Sequence, residues 1–319
     1  MLKKYWDVIK NYFPLLGFFL VVAFFAITTD GGILRPLSLQ SILNSTMTGA
    51  LVSLGAVFVF GSGNFDMSLG GAICLTAVLG GYAAIATGSI LVAFLVCMGV
   101  SLALGILKGL FAAFVDVPLF IVTIVLGFIL TAIVLVMMGD TVSIYLSEAV
   151  TPIRSFTFAE MTTINIVVLG AYFILCLILF NYTPLGRQIK IQGGNPITAR
   201  QSGINSKKVK LIVFIISAIG VALAAFIILI RVRSVGTATG SSLGMDVLVA
   251  LVLGGMPLMG GPRSRISAGI IGAATISVLN AGLTMMGLEL AVIQISRAII
   301  FLAVVYVASM TYQTKLLTR

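Results

Sequence analysis

The side chains that could carry out catalysis are few, and their spacing argues against the common catalytic and metal sites. The chain has no histidine, which excludes a serine or cysteine hydrolase built on a histidine base. Its three cysteines, Cys74, Cys97 and Cys176, lie far apart in apolar stretches, without C-x-x-C spacing. This pattern does not form a zinc site. We interpret the cysteines as small packing residues.

Two dense glycine clusters, at 61–71 and 253–265, combine glycine with charged residues or proline. Neither ends in the Gly-Lys-Ser/Thr sequence of a phosphate-binding loop, so no Walker motif for ATP is predicted. Both lie at the ends of apolar segments, where non-helical backbone must be buried in protein or line water. We therefore expect each cluster to form a turn where two helices meet.

Polar residues that interrupt the apolar segments are costly in lipid and are therefore candidates for function. The candidates are Asp66, Thr123, Asp246, Asn280 and Gln294. A structural role is the alternative for the two aspartates, each of which could cap a helix or pair with a base.

The bases available to these positions follow from the same pattern. Arg263 or Arg265 is the partner expected for Asp66. Arg297 lies inside an apolar segment, and we expect it to extend toward the membrane interface, with Glu289 as the alternative partner.

The elements that position these residues are predicted to be transmembrane helices. The chain is 60% apolar and 9% charged, with a mean hydropathy of +1.21, which places it in a lipid bilayer. A spanning helix needs roughly 20 apolar residues. The predicted spans are 13–29, 39–60, 68–87, 90–111, 118–138, 163–182, 209–230, 244–259, 266–284 and 290–310. The sequence therefore predicts an all-α polytopic bundle of about 10 spans, with residues 1–319 forming one membrane domain.

The distribution of basic residues predicts the orientation of the bundle. With the N-terminus inside, most of the 19 lysines and arginines fall in inner segments, as the positive-inside rule requires. Ten spans then place both termini on the cytoplasmic side. The net charge of +10 reflects this topology and contact with lipid, because no nucleic-acid-binding motif accompanies it.

The inner loop at 183–208 carries unusually strong signals of local order. Asn195 followed by Pro196 predicts the cap and the first residue of a short helix, and Gly203 predicts its end. Arg200 would point toward a partner or pair locally. A plain basic loop needs no such signals, although it remains the alternative. We therefore expect this loop to be a contact surface for a cytoplasmic partner.

Four sequence blocks resemble the permeases of ribose-type ABC sugar importers, within the wider group that includes branched-chain amino-acid permeases. In chain order the blocks are GNFDMSLG at 63–70, VPLFIVT at 117–123, GGNPITARQSGIN at 193–205 and MDVLVALVLGG at 245–255. Departures from the family pattern at Asn64, Phe65 and Gly244 leave a nucleoside, a furanone signal or a branched-chain amino acid open as the solute.

The resemblance implies the partners of this chain. It implies a second permease copy or paralogue, two cytoplasmic ATPase subunits or one fused tandem ATPase, and an external or periplasmic solute-binding protein, all at a bacterial plasma (inner) membrane. The coupling helix that docks on the ATPase would lie in the 183–208 loop, with Gly194, Asn195, Arg200, Ser202 and Gly203 as coupling residues. ATP and Mg²⁺ would bind to the partner, so this chain would bind no cofactor and catalyse nothing.

The resemblance also implies a path for a sugar between two permease copies. Phe65 and Phe120 would offer aromatic faces to the solute, while Thr123, Asn280 and Gln294 would bond either a polyol or a neighbouring helix. The segments expected to receive the binding protein are Ser147 to Glu160, Asp30 to Leu37 and Arg231 to Ser242.

Two other classes of transporter fit the sequence less well. An ion-coupled secondary transporter would use buried carboxylates, and the chain has only nine acidic residues, few of them within spans. A channel would need a repeated selectivity filter, which the sequence lacks.

Overall fold

The protein folds into a helical bundle, shown by a computed structural model that describes residues 2–115, 117–146, 157–257 and 259–316. The helices are α1 (Leu2–Thr28), α2 (Pro36–Gly61), α3 (Leu69–Thr87), α4 (Ile90–Phe114), α5 (Leu119–Met138), α6 (Phe158–Asn181), α7 (Pro184–Gly194), α8 (Pro196–Gln201), α9 (Ser206–Val232), α10 (Leu243–Leu253), α11 (Ser267–Met285) and α12 (Leu290–Leu316). Two short strands, β1 (Ser143–Tyr145) and β2 (Ser234–Gly236), pair antiparallel.

The all-helical, multi-pass character of the prediction is confirmed. Within the described residues, seven helices are long and apolar enough to cross a membrane, namely α2 to α6, α9 and α11. Helices α1 and α12 each contain a shorter apolar stretch, Tyr12–Thr28 and Ala291–Ala303. The number of membrane crossings and the side on which the termini lie stay predictions.

The span predicted at 244–259 is wrong as a continuous helix. The helix in this region, α10, has 11 residues and is therefore about 16 Å long, roughly half the thickness of a bilayer core. A run of apolar residues has the same appearance in sequence whether it forms a whole span or half of one.

An unwound segment, residues 237–242, precedes α10 and enters the bundle. A Cβ added to Gly70 would approach the carbonyl oxygens of Gly240 and Ser241, whereas one added to Gly81 would approach Val235. These two positions are about three turns, or roughly 16 Å, apart along α3. The chain therefore descends about half the bilayer thickness without forming a helix, and α10 completes the descent.

The two ends of the bundle are distinct, and we name them by their elements. The ribbon end carries β1 and β2. The opposite end, the α7–α8 end, carries the two short helices that follow α6. Helix α2 runs from the ribbon end to the α7–α8 end, where Gly61 packs against the side chains of Phe180 and Ile189.

Helix α9 packs in the centre of the bundle against α2, α3 and α4, and glycines set its distance from two of these helices. A Cβ added to Gly55 of α2 would lie 2.8 Å from the Cα of Ser217 in α9. On the other side, a Cβ added to Gly105 of α4 would lie 2.5 Å from the Cβ of Ala218 and 2.9 Å from the Phe214 carbonyl oxygen. Such close backbone contact is a main source of helix association in lipid.

Replacing Gly105 by alanine is expected to destabilise the bundle by about 1–3 kcal/mol, because the new methyl group overpacks the contact between α4 and α9. Gly99 in the same helix is the matched control, since a Cβ there meets no atom within 4 Å. The thermal unfolding of detergent-purified variants measures the difference. Equal stability of Gly105→Ala and Gly99→Ala would contradict the role of this close contact.

Candidate functional site

A cavity of about 750 Å³ extends from the ribbon end into the bundle. It is lined by α2, the end of α9, the unwound segment 237–242, α10 and α11, together with residues of both strands. Ser41 and Ser45 near its mouth are exposed, whereas Thr48 and Ser53, further along α2, are buried. The cavity therefore opens at the ribbon end and closes within the bundle. Its volume is typical of small-molecule sites.

Hydroxyl groups line much of this cavity. On α2, Ser38, Ser41, Ser45 and Thr48 line its wall, and their spacing of three or four residues places them on one face of the helix. Other hydroxyl residues in the lining are Ser53, Ser143, Ser234, Thr239, Ser242, Ser277 and Thr284. Sequence reasoning missed these residues, although the helical spacing of hydroxyls on α2 was a signal that could have found them.

Asp246, in the first turn of α10, provides an acidic group in the cavity lining. Its Oδ1 accepts a hydrogen bond from Nη1 of Arg297 at 3.2 Å, and its Oδ2 accepts one from Nδ2 of Asn280 at 3.4 Å. The arginine comes from α12 and the asparagine from α11. Three helices therefore meet at one carboxylate, whose charge is balanced by Arg297.

Both predictions for Arg297, extension toward the membrane interface and pairing with Glu289, are therefore wrong. Its side chain neither extends to the interface nor pairs with Glu289. It forms an ion pair with Asp246, and the side chains of Arg297 and Asp246 are only 15% and 11% exposed. Burying a charge costs less when the charge is paired, and α10 brings a carboxylate beside α12. The sequence does not indicate this proximity.

Two buried polar atoms in the cavity lining have free hydrogen-bonding capacity. The hydroxyl of Ser53 and Oδ1 of Asn280 have no hydrogen-bond partner within the described part of the chain, and both residues line the cavity. Buried polar groups normally have a partner. The cavity wall can therefore donate and accept further hydrogen bonds.

Asp66 lies in a separate polar cluster that is not part of the cavity lining. Its Oδ1 accepts hydrogen bonds from the backbone N–H and the hydroxyl of Ser68, at 2.9 and 2.6 Å. Its Oδ2 accepts one from Nζ of Lys108 at 2.6 Å. The side chains of this ion pair are 2% and 3% exposed.

The partner predicted for Asp66 was Arg263 or Arg265. This prediction is wrong, because Asp66 pairs with Lys108 of α4. Thr123 belongs to the same region: its hydroxyl accepts a hydrogen bond from the Met67 backbone N–H at 3.1 Å. Together these contacts hold the loop that joins α2 to α3 against α4 and α5.

The other residues predicted for a path lie outside the cavity lining. Phe65 is half-buried and packs edge-on against Phe60, with ring centroids 4.7 Å apart. Phe120 is exposed on α5, and Gln294 is exposed on α12. The structure thus brings Asp246 and Asn280 together at the cavity, and brings Phe65, Asp66 and Thr123 together elsewhere. Their role in transport stays a prediction.

The short helix predicted after Asn195 is confirmed. The Asn195 side chain accepts hydrogen bonds from the backbone N–H groups of Ile197 and Thr198, at 2.9 and 3.2 Å. Pro196 occupies the first position of α8. Gly203 has a φ of +75°, in the left-handed region that ends many helices and favours glycine.

Helix α8 forms a small knob that is supported by closely packed residues of α6 and α7. On α8, Ile197 is 70% exposed and Arg200 is also exposed, whereas Ala199 is buried. Beneath it, Ile189 of α7 is fully buried, and Gly186 lies against the Phe180 backbone, leaving no room for a Cβ. The predicted coupling residues Gly194, Asn195, Arg200, Ser202 and Gly203 are all exposed here. An exposed apolar side chain, Ile197, beside a basic one, Arg200, is suited to contact with another protein.

The segments predicted to receive a binding protein are only partly described. Residues 147–156 of the Ser147 to Glu160 segment lie outside the described residues. The Asp30 to Leu37 segment contains a short 3-10 turn, Gly32–Leu34. The Arg231 to Ser242 segment forms β2 and part of the cavity wall.

The chain is similar to known membrane permeases over most of its length. Residues 38–308 match the family described as Branched-chain amino acid transport system / permease component. The chain is 30% identical to the ribose import permease protein RbsC of Escherichia coli (strain K12), with 85% of each chain covered. It is 28% identical to the xylose transport system permease protein XylH of Haemophilus influenzae, covering 87% of this chain and 90% of the relative.

A third relative is named for a different sugar. The galactofuranose transporter permease protein YtfT of Escherichia coli (strain K12) is 24% identical, over 85% of this chain and 79% of the relative. These matches confirm the resemblance found in the four sequence blocks. The chain is a multi-pass membrane protein that belongs to the branched-chain amino acid transport system / permease component family.

Proposed function

We propose that this chain is the membrane-spanning permease subunit of an ATP-driven importer in a bacterial inner membrane, and that it passes a monosaccharide delivered by an external binding protein. The observation that carries this proposal is the hydroxyl-lined cavity, which opens at the ribbon end and reaches Asp246. The ribbon end would face the outside, and the α7–α8 end and both termini would face the cytoplasm.

The chemistry of the cavity favours a neutral solute with many hydroxyl groups. Serine and threonine hydroxyls both donate and accept hydrogen bonds, and so match a sugar, whose hydroxyls do the same. Asp246 can accept further bonds from sugar hydroxyls while its charge is balanced by Arg297. The names of the relatives, which specify ribose, xylose and galactofuranose, support the same class of solute.

Nucleosides, furanone signals and branched-chain amino acids are the alternative solutes for the same permease. The family description favours an amino acid, whose carboxylate could meet Arg231 in the cavity wall. Its ammonium group, however, would have to displace Arg297 from Asp246. We therefore place the monosaccharide first.

An ion-coupled secondary transporter is a weaker candidate for a related reason. Such a transporter needs buried carboxylates that are free to bind a cation. The two aspartates that are buried in the described residues, Asp66 and Asp246, are each paired with a base. Neither carboxylate is available to a cation in this conformation.

The α8 knob supports an ATPase-driven mechanism. We propose that α8 docks on a cytoplasmic ATPase, either two subunits or one fused tandem protein, and that this partner binds ATP and Mg²⁺ and performs the hydrolysis. A second permease copy or a paralogue would complete the assembly. The permease chain itself would then catalyse no reaction and bind no cofactor.

Solute-stimulated ATP hydrolysis tests the function directly. Proteoliposomes containing this chain, its co-encoded ATPase and its binding protein are screened with pentoses, hexoses, nucleosides and branched-chain amino acids. We expect stimulation by a monosaccharide. Stimulation by a nucleoside or an amino acid alone would keep the importer and change the solute, whereas no stimulation by any solute would contradict the importer.

Asn280→Leu is expected to raise the solute concentration for half-maximal stimulation by roughly two- to tenfold, the equivalent of one lost hydrogen bond. Gln294→Leu is the matched control, because Gln294 is exposed on α12 and does not line the cavity. Titrations of stimulated ATPase activity compare the two variants, with folded yield measured in parallel. An unchanged midpoint for Asn280→Leu would remove this residue from the solute site.

Arg200→Glu is expected to weaken binding of the ATPase by about tenfold, because it reverses the charge beside the exposed Ile197. Gly203→Pro should act similarly, since proline cannot adopt the φ of +75° that ends α8. Arg35→Glu, an exposed charge reversal at the ribbon end, is the control. Co-purification and binding titrations in detergent measure the affinity. Wild-type affinity in both α8 variants would exclude α8 as the docking helix.

A further inference from the structure

We infer that a cluster of glycines at the α7–α8 end transmits movement of α8 to α10 and so to the cavity. We call this cluster the glycine junction; it consists of Gly61, Gly193, Gly194, Gly260 and Gly261. The inference rests on the proposed function and adds to it the positioning residues through which the ATPase would act on the solute site.

The junction brings three segments of backbone into direct contact. The N–H of Gly261 donates a hydrogen bond to the Gly61 carbonyl oxygen at 3.0 Å. A Cβ added to Gly193 would clash with that same oxygen and lie 2.7 Å from the Gly261 nitrogen. A Cβ added to Gly260 would clash with the Phe60 carbonyl oxygen. A side chain at Gly193 or Gly260 would therefore push apart the ends of α2 and α7 and the loop after α10.

On one side, the junction is continuous with α8. Gly193 and Gly194 end α7, and the next residue, Asn195, begins α8 as its cap. The N–H of Asn195 also donates to the Ile191 carbonyl oxygen at 3.0 Å. One residue therefore belongs to both helices, with hydrogen bonds in each direction. A displacement of α8 must move the end of α7 with it.

On the other side, the junction continues into α10 through the loop of residues 254–261. The N–H groups of Gly255 and Met256 donate to the carbonyl oxygens of Val252 and Leu251, at 3.0 and 2.9 Å, so the start of this loop is tied to the end of α10. Leu258 of the loop lies outside the described residues. Because α10 is a short helix, a push at this end moves it as one body.

The first turn of α10 carries Asp246, which lies in the cavity wall and bonds Arg297 and Asn280. The chain of contacts therefore runs from the exposed knob α8, through the glycine junction and α10, to the carboxylate in the cavity. Each step is a covalent connection or a backbone contact. Contiguous contacts of this kind can carry coupling between distant sites.

Close contact at the junction explains why the 61–71 and 253–265 clusters have glycine at the positions that touch the 193–205 segment. Backbones that touch directly, with a hydrogen bond between them, transmit a small displacement, whereas long side chains between them could absorb it by changing rotamer. A purely structural role would also need close contact, but it would not link ATP hydrolysis to the occupancy of the cavity. The two roles therefore differ in coupling and not in folding alone.

The test compares two adjacent glycines with a distant one. Gly193→Ala forces the junction open, because its Cβ has no room. Gly194→Ala is milder, because its Cβ would lie 3.0 Å from Cδ of Pro262. Gly170→Ala in α6 is the control, since a Cβ there meets no atom within 4 Å. Thermal stability, ATPase binding, basal hydrolysis and solute-stimulated hydrolysis are measured for each in proteoliposomes with the ATPase and binding protein.

We expect Gly193→Ala to bind the ATPase and keep basal hydrolysis, but to lose between roughly twofold and 30-fold of the solute stimulation. Gly194→Ala should lose less and Gly170→Ala nothing. Stimulation in Gly193→Ala equal to that of wild type would overturn the inference. If wild-type protein itself shows no solute stimulation, the proposed function fails instead, so the two failures are distinguishable.

A cysteine pair keeps the inference testable if Gly193→Ala fails to fold. Gly194→Cys and Pro262→Cys are introduced in a chain in which Cys74, Cys97 and Cys176 are replaced by alanine. If the junction moves as one unit, the pair cross-links both with and without ATP, and the cross-linked protein keeps its solute stimulation. A cross-link that forms in neither state, that forms in only one, or that abolishes stimulation until a reductant is added would overturn the inference.

Discussion

The structure depends on one constraint, which is that backbone polar groups in a bilayer must find hydrogen-bond partners within the protein. In the described part of the chain, helices meet this constraint along most of the bundle, whereas turns replace them in the unwound segment 237–242. The Thr239 N–H donates to the Gly236 carbonyl oxygen at 3.0 Å, and the Thr239 hydroxyl accepts from the Gly236 N–H at 2.8 Å. Because these bonds are local and α3 packs behind them, the segment can form a cavity wall at the depth where a helix would otherwise fill the space.

The same constraint extends to charge, and it explains where the two buried aspartates lie. Each lies at the start of a helix, where the helix dipole favours an anion: Asp66 precedes α3, and Asp246 is in the first turn of α10. Each is also paired with a base from another helix, Lys108 or Arg297. Loss of one partner would leave a buried charge unpaired, which typically costs about 3–5 kcal/mol. The pairs therefore fix which helices are neighbours.

Different parts of this arrangement could be predicted to different degrees. The apolar runs and the caps at Asn195 and Gly203 depend on local sequence, and the structure agrees with them closely. The half-length helix α10 was missed, although the polar run T-A-T-G-S-S at 237–242 was a signal for a break. The ion pairs could not be predicted, because Lys108 and Arg297 are 42 and 51 residues from their aspartates in sequence, and helix packing alone decides which base is nearest.

Below the cavity, the route toward the α7–α8 end is closed by contact between small residues of α10 and α11. Gly272 packs on the Ala250 backbone and Gly254 on the Ala268 backbone, each without room for a Cβ. Contacts of this kind interlock no large side chains, so the two helices can move apart without large side chains passing one another. A solute beside Asp246 would therefore need only a modest separation of α10 from α11 to continue. The helix that would have to move is also the one that the glycine junction joins to α8.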